Sequence, residues 1–279
     1  MEERVSFEAD GLKLSGVLHL PEAGGLGGRR AAFLVLHGFG SNKDGGGGTT
    51  VARMLAGLGY AALRFDFRGC GESEGERGRV ICKEQVKDTR NALSFLATRP
   101  EIDPKRVGVV GQSFGAAVAV CAAGVDRRVA ACISSGGWGD GAKKFRKQHA
   151  SPRAWKKFTA MMTEGKRRKR SGKPMMVPRY DIVPIPPRLR GNLAPGSIME
   201  FPFEVVETMV AFNANEVVGK IAPRPPRIRA SQPRRHPDSA RDLRRARGIG
   251  EAARRGDVPA VVALIYSRKE RRLACLAAH

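Results

Sequence analysis

The sequence predicts an α/β fold with a mostly parallel sheet, and three short apolar runs are the main evidence. Residues 31–36, 61–67 and 107–110 each form such a run, which is typical of strands buried on both faces. Segments 50–58 and 88–97 lie between them and carry apolar residues at helical spacing. Because strands and helices alternate with short connections, we expect parallel strands flanked by helices.

The N-terminal segment predicts a hairpin ahead of these units. Residues 5–9 and 12–20 flank Asp10-Gly11, a favoured pair for a two-residue turn between antiparallel strands. The run 129–135 predicts a later strand. We interpret Gly45–Gly48 as a loop, because it carries neither a dinucleotide fingerprint nor a phosphate-binding Lys-Ser/Thr pair.

The most informative motif is Gly111-Gln112-Ser113-Phe114-Gly115, which directly follows an apolar run and precedes an Ala/Val-rich segment. A G-x-S-x-G sequence between a strand and a helix is typical of a nucleophile elbow, a strained turn that exposes the serine hydroxyl. The two glycines leave room for that turn, where a side chain would clash. The alternative is a Gly/Ser loop without chemistry.

Three motifs together make the chain similar to the α/β-hydrolase superfamily. They are His37-Gly38-Phe39-Gly40, Asp66-Phe67-Arg68-Gly69-Cys70-Gly71-Glu72-Ser73 and the Ser113 motif, in that order and at family-like spacing. The resemblance extends to about residue 222 and is closest to the esterase, serine-aminopeptidase and prolyl-peptidase-like branches. It implies a serine hydrolase that acts on a small-molecule ester or amide through an acyl-enzyme, without a cofactor.

The same resemblance implies a role for each motif residue. Ser113 would be the nucleophile, and the backbone N–H groups of Phe114 and Phe39 would form the oxyanion hole, with Gly40 as the next choice after Phe39. The first motif's His37 is a tempting general base, although the histidine at this position usually has a structural role.

Asp66 and Arg68, in the second motif, are expected to tie neighbouring loops together rather than to take part in catalysis.

Residues 138–222 are interpreted as a lid inserted into a core formed by residues 1–137. Two helices are predicted there, one with an apolar face around Phe158 and a second from Pro202 to Gly219. These faces pack on the core, line a pocket, or do both. An insertion after the strand ending at Ser135 usually covers the nucleophile in this superfamily.

The partners of Ser113 are hard to find in the sequence. The family order is serine, then an acid after a late strand, then a histidine. Only His149, His236 and His279 follow Ser113, and none has the expected strand-end context. Asp238 and Asp257 are the weak candidates for the acid. We therefore predict that the chain as written lacks an intact Ser-His-Asp triad.

Residues 223–279 form a basic, Arg/Pro-rich tail that does not resemble the rest of the fold. Where a core strand is expected, residues 226–235 contain mainly Pro and Arg. This composition is consistent with a GC-rich gene read out of frame, and the alternative is a genuine basic extension. We expect the late strands to be absent or malformed.

Composition limits the remaining possibilities. The formal charge is +23, with 14 Arg and 1 Lys against 5 acids in residues 224–279 and a second cluster at Lys166–Arg170. Clusters of this kind are found in nucleic-acid-binding proteins, but no aromatic residues interleave with them, so we favour solvated charge runs. No spacing indicates a metal site, and no apolar run is long enough to cross a membrane.

Five cysteines without paired spacing and no leader pattern predict a cytoplasmic protein; the oligomeric state stays open. Three functions follow from the sequence: a serine hydrolase, a hydrolase fold that no longer turns over, and a basic nucleic-acid-binding module.

Overall fold

The N-terminal hairpin forms as predicted in the computed structural model, which describes residues 1–21 and 28–221. Strands β1 (Glu2–Ala9) and β2 (Leu12–His19) pair in antiparallel register. Asp10 and Gly11 connect them with φ angles of 54° and 80°. Positive φ at both central positions gives the turn a twist that matches the strands, which explains the Asp-Gly pair.

The central sheet of the described residues has six strands in the order β1-β2-β4-β3-β5-β6. The remaining members are β3 (Arg30–Leu36), β4 (Ala61–Phe65), β5 (Ile102–Gln112) and β6 (Val129–Ser135). Strand β3 pairs in parallel with β4 and β5, and β5 pairs in parallel with β6. The predicted α/β-hydrolase sheet is thereby confirmed, and the carboxyl ends of four strands meet at one edge.

Helices cover both faces of this sheet. They are α1 (Gly46–Gly57), α2 (Cys82–Thr98) and α3 (Phe114–Val125). Alternation along β3 places Leu34 and Leu36 in the larger core cluster with α2 and α3, and Phe33 and Val35 in a smaller cluster with α1. The strand is therefore buried on both faces, which is why its sequence is continuously apolar.

The glycine tract is not a loop, contrary to the prediction, because α1 begins at Gly46. The Thr50 hydroxyl donates to the Gly46 carbonyl at 2.8 Å, within the first turn. A Cβ on Gly47 would lie 2.7 Å from Oε1 of Gln112. The helix thus starts near the Gln112 side chain at the end of β5, and a tract typical of a loop forms its first turn.

After β6 the chain leaves the central sheet and forms a mainly helical segment. Its elements are α4 (Gly141–Gln148), α5 (Pro152–Arg170), β7 (Met176–Pro178), α6 (Arg179–Ile182), a 3₁₀ turn (Pro187–Asn192), β8 (Glu200–Pro202), α7 (Phe203–Ala211) and α8 (Asn215–Val218). Strands β7 and β8 form a separate antiparallel pair. Helix α5 matches the predicted helix around Phe158, which is buried.

The second predicted helix, from Pro202 to Gly219, is wrong as a single element. Helix α7 ends at Ala211, and Phe212 adopts an extended conformation so that its carbonyl accepts the Gly141 N–H at 2.9 Å. The Asn213 side chain then accepts the Asn215 N–H at 3.1 Å. Asparagine side chains compete with helical backbone bonds in this way, which accounts for the break between α7 and α8.

The predictions about the tail concern residues 223–279 and lie outside the described residues. Within 1–21 and 28–221, no helix combines the length and apolar character that a membrane span requires.

Candidate active site

Ser113 lies in a strained turn between β5 and α3. Its backbone has φ 55° and ψ −114°, and it shares a positive φ with only one other non-glycine residue of the described chain, Asp10. Such a conformation costs roughly 1–3 kcal/mol and occurs where the surroundings enforce it. The Ser113 N–H donates to the Ser135 carbonyl at 2.8 Å, and the Ser113 carbonyl accepts the Ala116 N–H at 3.1 Å.

Steric contacts explain the glycines on either side of Ser113. A Cβ on Gly111 would overlap the Gly115 carbonyl, and one on Gly115 would lie 2.5 Å from the carbonyl oxygens of both Leu36 and His37. Real Cβ atoms are not found so close to backbone oxygens, so neither position accepts a side chain without distortion. The turn thus packs directly against the end of β3, with the Ser113 side chain exposed.

Phe114, the next residue, is the first residue of α3. Its side chain is buried and packs against Phe39, with ring centroids 5.7 Å apart, and against Trp138 at 5.6 Å. Its backbone N–H is one of the amides that a helix N-terminus leaves without an intrahelical partner. Within the described chain, neither this N–H nor that of Phe39 donates to a protein acceptor.

The loop at the end of β3 carries three consecutive carbonyls that are all held by donors. The Gly38 carbonyl accepts the His37 Nδ1–H at 2.9 Å and the Ser41 N–H at 3.1 Å. The Gly40 carbonyl accepts the Ile198 N–H at 2.8 Å. Between them, the Phe39 carbonyl accepts Nη2 of Arg179 at 2.6 Å. The three peptide planes that contain these carbonyls therefore have a fixed orientation.

His37 holds two loops together. Its Nδ1–H donates to the Gly38 carbonyl, and its Nε2 accepts the Phe67 N–H at 3.2 Å. This pattern requires the neutral ring, and burial indeed lowers the pKa of His37. Both nitrogens are occupied by backbone groups, which agrees with the structural role that the resemblance implied.

The second motif forms buried ionic contacts. The fully buried Asp66 carboxylate accepts the Lys43 N–H at 2.5 Å, Nζ of Lys43 at 3.1 Å and the Glu72 N–H at 2.9 Å. Arg68 donates through Nε to Asp88 at 2.7 Å. The Asp66 contacts connect the loops that follow β3 and β4, and Arg68 ties the second of these loops to helix α2.

The histidine candidates divide between the two parts of the chain. His149 lies in the segment after β6, where its ring stacks on Phe158 at 4.4 Å. Its Nδ1 is 3.0 Å from the Phe145 carbonyl and its Nε2 is 3.2 Å from the Asp181 carbonyl, so both nitrogens face backbone carbonyls.

The other candidates, His236, His279, Asp238 and Asp257, lie outside the described residues. Among the described ones, no hydrogen bond joins a histidine to the Ser113 hydroxyl.

The sequence analysis did not identify Arg179 or Trp138 as parts of this site. Trp138 follows the end of β6 and packs on Phe114. Its position directly after Gly136-Gly137 was the sequence feature from which its place near the site could have been inferred. Arg179 belongs to a Pro-rich stretch where an arginine is normally solvated, yet only 5% of its surface is exposed. No local pattern distinguishes it from the many surface arginines.

The Lys166–Arg170 cluster forms the end of α5 and is largely paired with acids. Arg167 and Arg168 bond to Glu164 at 2.7 Å and 2.8 Å, and Lys169 bonds to Glu207 at 2.7 Å. No cluster of three or more His, Cys, Asp or Glu side chains suited to a metal ion occurs in residues 1–21 and 28–221.

The family profile of serine aminopeptidases, S33, matches residues 27–181, which is more than half of the chain. The chain therefore belongs to this family of α/β hydrolases. The geometry of Ser113 and of the loop 37–41 lies within the matched range.

Several relatives are similar to just under half of the chain. Thiohydrolase aneE of Aspergillus aculeatus is 40% identical over 129 residues, which cover 45% of this chain and 38% of that protein. Polyketide transferase claH of Penicillium crustosum is 38% identical over 48% of this chain and 44% of its own length. The quorum-quenching protein AidA of Acinetobacter baumannii is 32% identical, with 49% and 44% covered. The aligned region spans less than half the length of each relative.

Solved structures are similar over a longer range. A hypothetical protein, PA2218, from Pseudomonas aeruginosa has a TM-score of 0.67 at 22% identity, with 81% of this chain and 75% of that chain covered. The α/β hydrolase GrgF from Penicillium sp. sh18 has a TM-score of 0.63 at 24% identity, covering 81% and 78%. At these identities the similarity establishes the fold.

Proposed function

We propose that this protein is a serine hydrolase in which Ser113 attacks the carbonyl carbon of a small acyl ester, thioester or amide. The observation that carries the proposal is the strained, exposed Ser113 beside the loop 37–41. A Cβ placed on Gly38 would lie 3.9 Å from the Ser113 Cβ, so the loop backbone approaches the nucleophile closely. An acyl-enzyme at Ser113 would form with release of the alcohol, thiol or amine, and water would then hydrolyse it.

Charge on the carbonyl oxygen would be stabilised by backbone donors. The N–H groups of Phe114 and Phe39 are the proposed donors, because neither is used by a protein acceptor and both residues flank Ser113. Fixed donors of this kind lower the barrier since they need no reorganisation as charge develops.

The substrate class is supported by the relatives. Two of them are named as a thiohydrolase and a polyketide transferase, and both names refer to acyl chemistry. We therefore place acyl thioesters beside esters as candidate substrates, with amides as a third class. All three react through the same tetrahedral intermediate, so the proposed residues keep their roles.

Residues 138–221 would act as the lid of this site. Trp138 packs on Phe114, and Phe201 stacks on Phe39 with centroids 4.2 Å apart and planes at 22°. The segment thus contacts both residues proposed as oxyanion donors, which supports a role in enclosing the substrate.

The test is turnover of a short-chain aryl ester and the matching aryl thioester by the full 279-residue chain. We expect hydrolysis of at least one substrate and its loss in Ser113→Ala. Ser134→Ala is the matched control because Ser134 lies in β6 and bonds to the Ala116 carbonyl at 3.3 Å.

The alternative is a protein with the hydrolase fold that no longer turns over substrate. It is favoured by the lack of a hydrogen bond between the Ser113 hydroxyl and any histidine of the described residues. Without a base, the oxyanion hole and binding alone can retain roughly 10³–10⁴-fold acceleration over water. Turnover only at that level, equal in the parent and in His236→Ala and His279→Ala variants, would support this alternative over the complete hydrolase.

A further inference from the structure

Arg179 is a buried cation whose hydrogen bonds go to backbone carbonyls. Nη2 donates to the Phe39 carbonyl at 2.6 Å, and Nη1 donates to the Ile198 carbonyl at 2.8 Å and lies 3.5 Å from the Gly40 carbonyl. In the described chain it forms no salt bridge, and its buried Nε has no partner. Burial accordingly lowers its pKa.

Burying a guanidinium in this way costs free energy of folding, which suggests that the position has a function. An ion leaves water at a substantial free-energy cost, and a carboxylate usually compensates for it. Here three carbonyls compensate, and two of them belong to the loop beside Ser113. A surface position on the same segment would avoid the cost, as the exposed Arg190 does over the half-buried Tyr180 ring.

The contacts of Arg179 determine the orientation of one peptide plane. In a trans peptide the C=O and N–H point in opposite directions, so fixing the Phe39 carbonyl fixes the Gly40 N–H. The Gly38 carbonyl, held by His37 and Ser41, fixes the Phe39 N–H in the same way. A charged donor on a carbonyl also polarises that peptide and strengthens its N–H as a donor.

Space around Gly40 supports the same conclusion. Its φ is +50°, and a Cβ there would lie 2.5 Å from the Phe201 ring and 3.0 Å from Nη1 of Arg179. The loop is thus enclosed by the guanidinium and the Phe201 ring, with the Phe39 ring stacked on the latter. Rotation of the Phe39–Gly40 peptide would break the strongest of these contacts.

We propose that Arg179 is a positioning residue of the oxyanion hole. By holding the Phe39 carbonyl it orients the Gly40 N–H directly, and it keeps the 38–41 backbone in place so that the neighbouring Phe39 N–H faces the Ser113 site. The proposal rests on the proposed function insofar as it concerns catalysis. Arg179 does not contact the substrate; it acts through the loop. Through its hydrogen bond to the Phe39 carbonyl, it connects residues 138–221 to the loop beside Ser113.

The test uses Arg179→Met, which keeps the apolar stem and removes every donor, and Arg179→Lys, which keeps the charge without the two-pronged geometry. Arg190→Met is the matched control, since it removes an exposed arginine of the same segment. All are made in the full chain, and thermal melting establishes folding before any rate is compared.

We expect Arg179→Met to lower kcat for the aryl ester by about 10- to 100-fold with KM within about threefold, because the lost interaction acts in the transition state. Arg179→Lys should recover part of kcat, and Arg190→Met should leave it unchanged. A kcat within twofold of the parent in Arg179→Met, despite a lowered melting temperature, would overturn the positioning role.

A second readout does not depend on turnover. Amide hydrogen exchange of the peptide covering 37–44 should accelerate at least tenfold in Arg179→Met and stay unchanged in Arg190→Met. If the parent neither hydrolyses nor acylates, the proposed function fails while this result still decides whether Arg179 holds the loop. Unchanged exchange would overturn the inference whatever the activity. If Arg179→Met does not fold, Arg179→Lys carries both readouts.

Discussion

The two sides of Ser113 are held in place by different kinds of interaction. On one side, the elbow depends on sterics within a few residues and against the end of β3, where a Cβ on Gly115 would lie 2.5 Å from two carbonyl oxygens. On the other side, the loop 37–41 is held by groups from residues 179–201, more than a hundred positions later. Local sterics leave a motif in the sequence, whereas long-range contacts do not, and this difference decides which half of the site can be predicted.

The largest effect is expected for Gly115→Ala, which challenges the local side. A methyl group 2.5 Å from the Leu36 and His37 carbonyls must displace backbone, so the free energy of unfolding should fall by more than about 4 kcal/mol. Gly57→Ala is the control, because nothing lies within 4 Å of a Cβ there.

In a helix, Gly57→Ala should be neutral or stabilise by about 0.4–1 kcal/mol. Urea denaturation followed by circular dichroism measures the free energy of unfolding of Gly115→Ala and Gly57→Ala. Equal stability of both variants would show that the elbow is less tightly packed than described.

The sequence predicted the elbow, the hairpin and the mostly parallel sheet because each depends on neighbours in the chain. The pair Asp10-Gly11 and the continuously apolar β3 are read directly from residue types. Two predictions were wrong. The glycine tract forms the first turn of α1, and Phe212 ends α7 because its carbonyl bonds to Gly141, a tertiary contact that overrides the local pattern.

Arg179 was missed for the same reason, since its partners are distant carbonyls that no spacing reveals. The roles of Ser113, Phe39 and Phe114 stay predictions, as does the absence of a complete triad, because the remaining histidines lie outside the described residues.

Phe201→Ala tests the long-range side with a somewhat smaller effect. Phe201 is fully buried and stacks on Phe39, so removing its ring should lower the free energy of unfolding by about 3–5 kcal/mol. We also expect a slower acylation of Ser113, because the loop loses its packing partner. Met199→Ala, at a 44% exposed neighbour, should change stability by less than about 0.5 kcal/mol. Wild-type acylation in Phe201→Ala would contradict the role of this ring in holding the loop.

The pH dependence of stability adds a test at His37, whose ring joins the loop 37–41 to the Phe67 backbone after β4. Burial lowers its pKa, so the folded state binds this proton less readily than the unfolded state. The stabilisation is complete above the unfolded value of about 6.5 and is lost as the pH falls below it. Between pH 7.5 and 5.5, the free energy of unfolding should fall by about 1 kcal/mol more in the parent than in His37→Asn.

His19 also has a pKa lowered by burial, and it contributes equally to both proteins, so the difference isolates His37. Chemical denaturation at the two pH values measures it. Parallel pH profiles for parent and variant would show that His37 is not held as a neutral donor and acceptor.

The central claim is that Ser113 is the nucleophile of this site, and covalent labelling tests it most directly. Because the hydroxyl needs a base, rapid labelling would also show that a histidine completes the site, against the prediction that the chain lacks an intact triad. The full chain is incubated with a fluorophosphonate probe, and peptide mass spectrometry locates the adduct, with the urea-unfolded chain and Ser113→Ala as controls. We predict a single adduct on Ser113 in the folded chain, formed by displacement of fluoride and absent from both controls. Labelling spread over several serines at the rate of the unfolded chain, or unchanged by Ser113→Ala, would contradict the account.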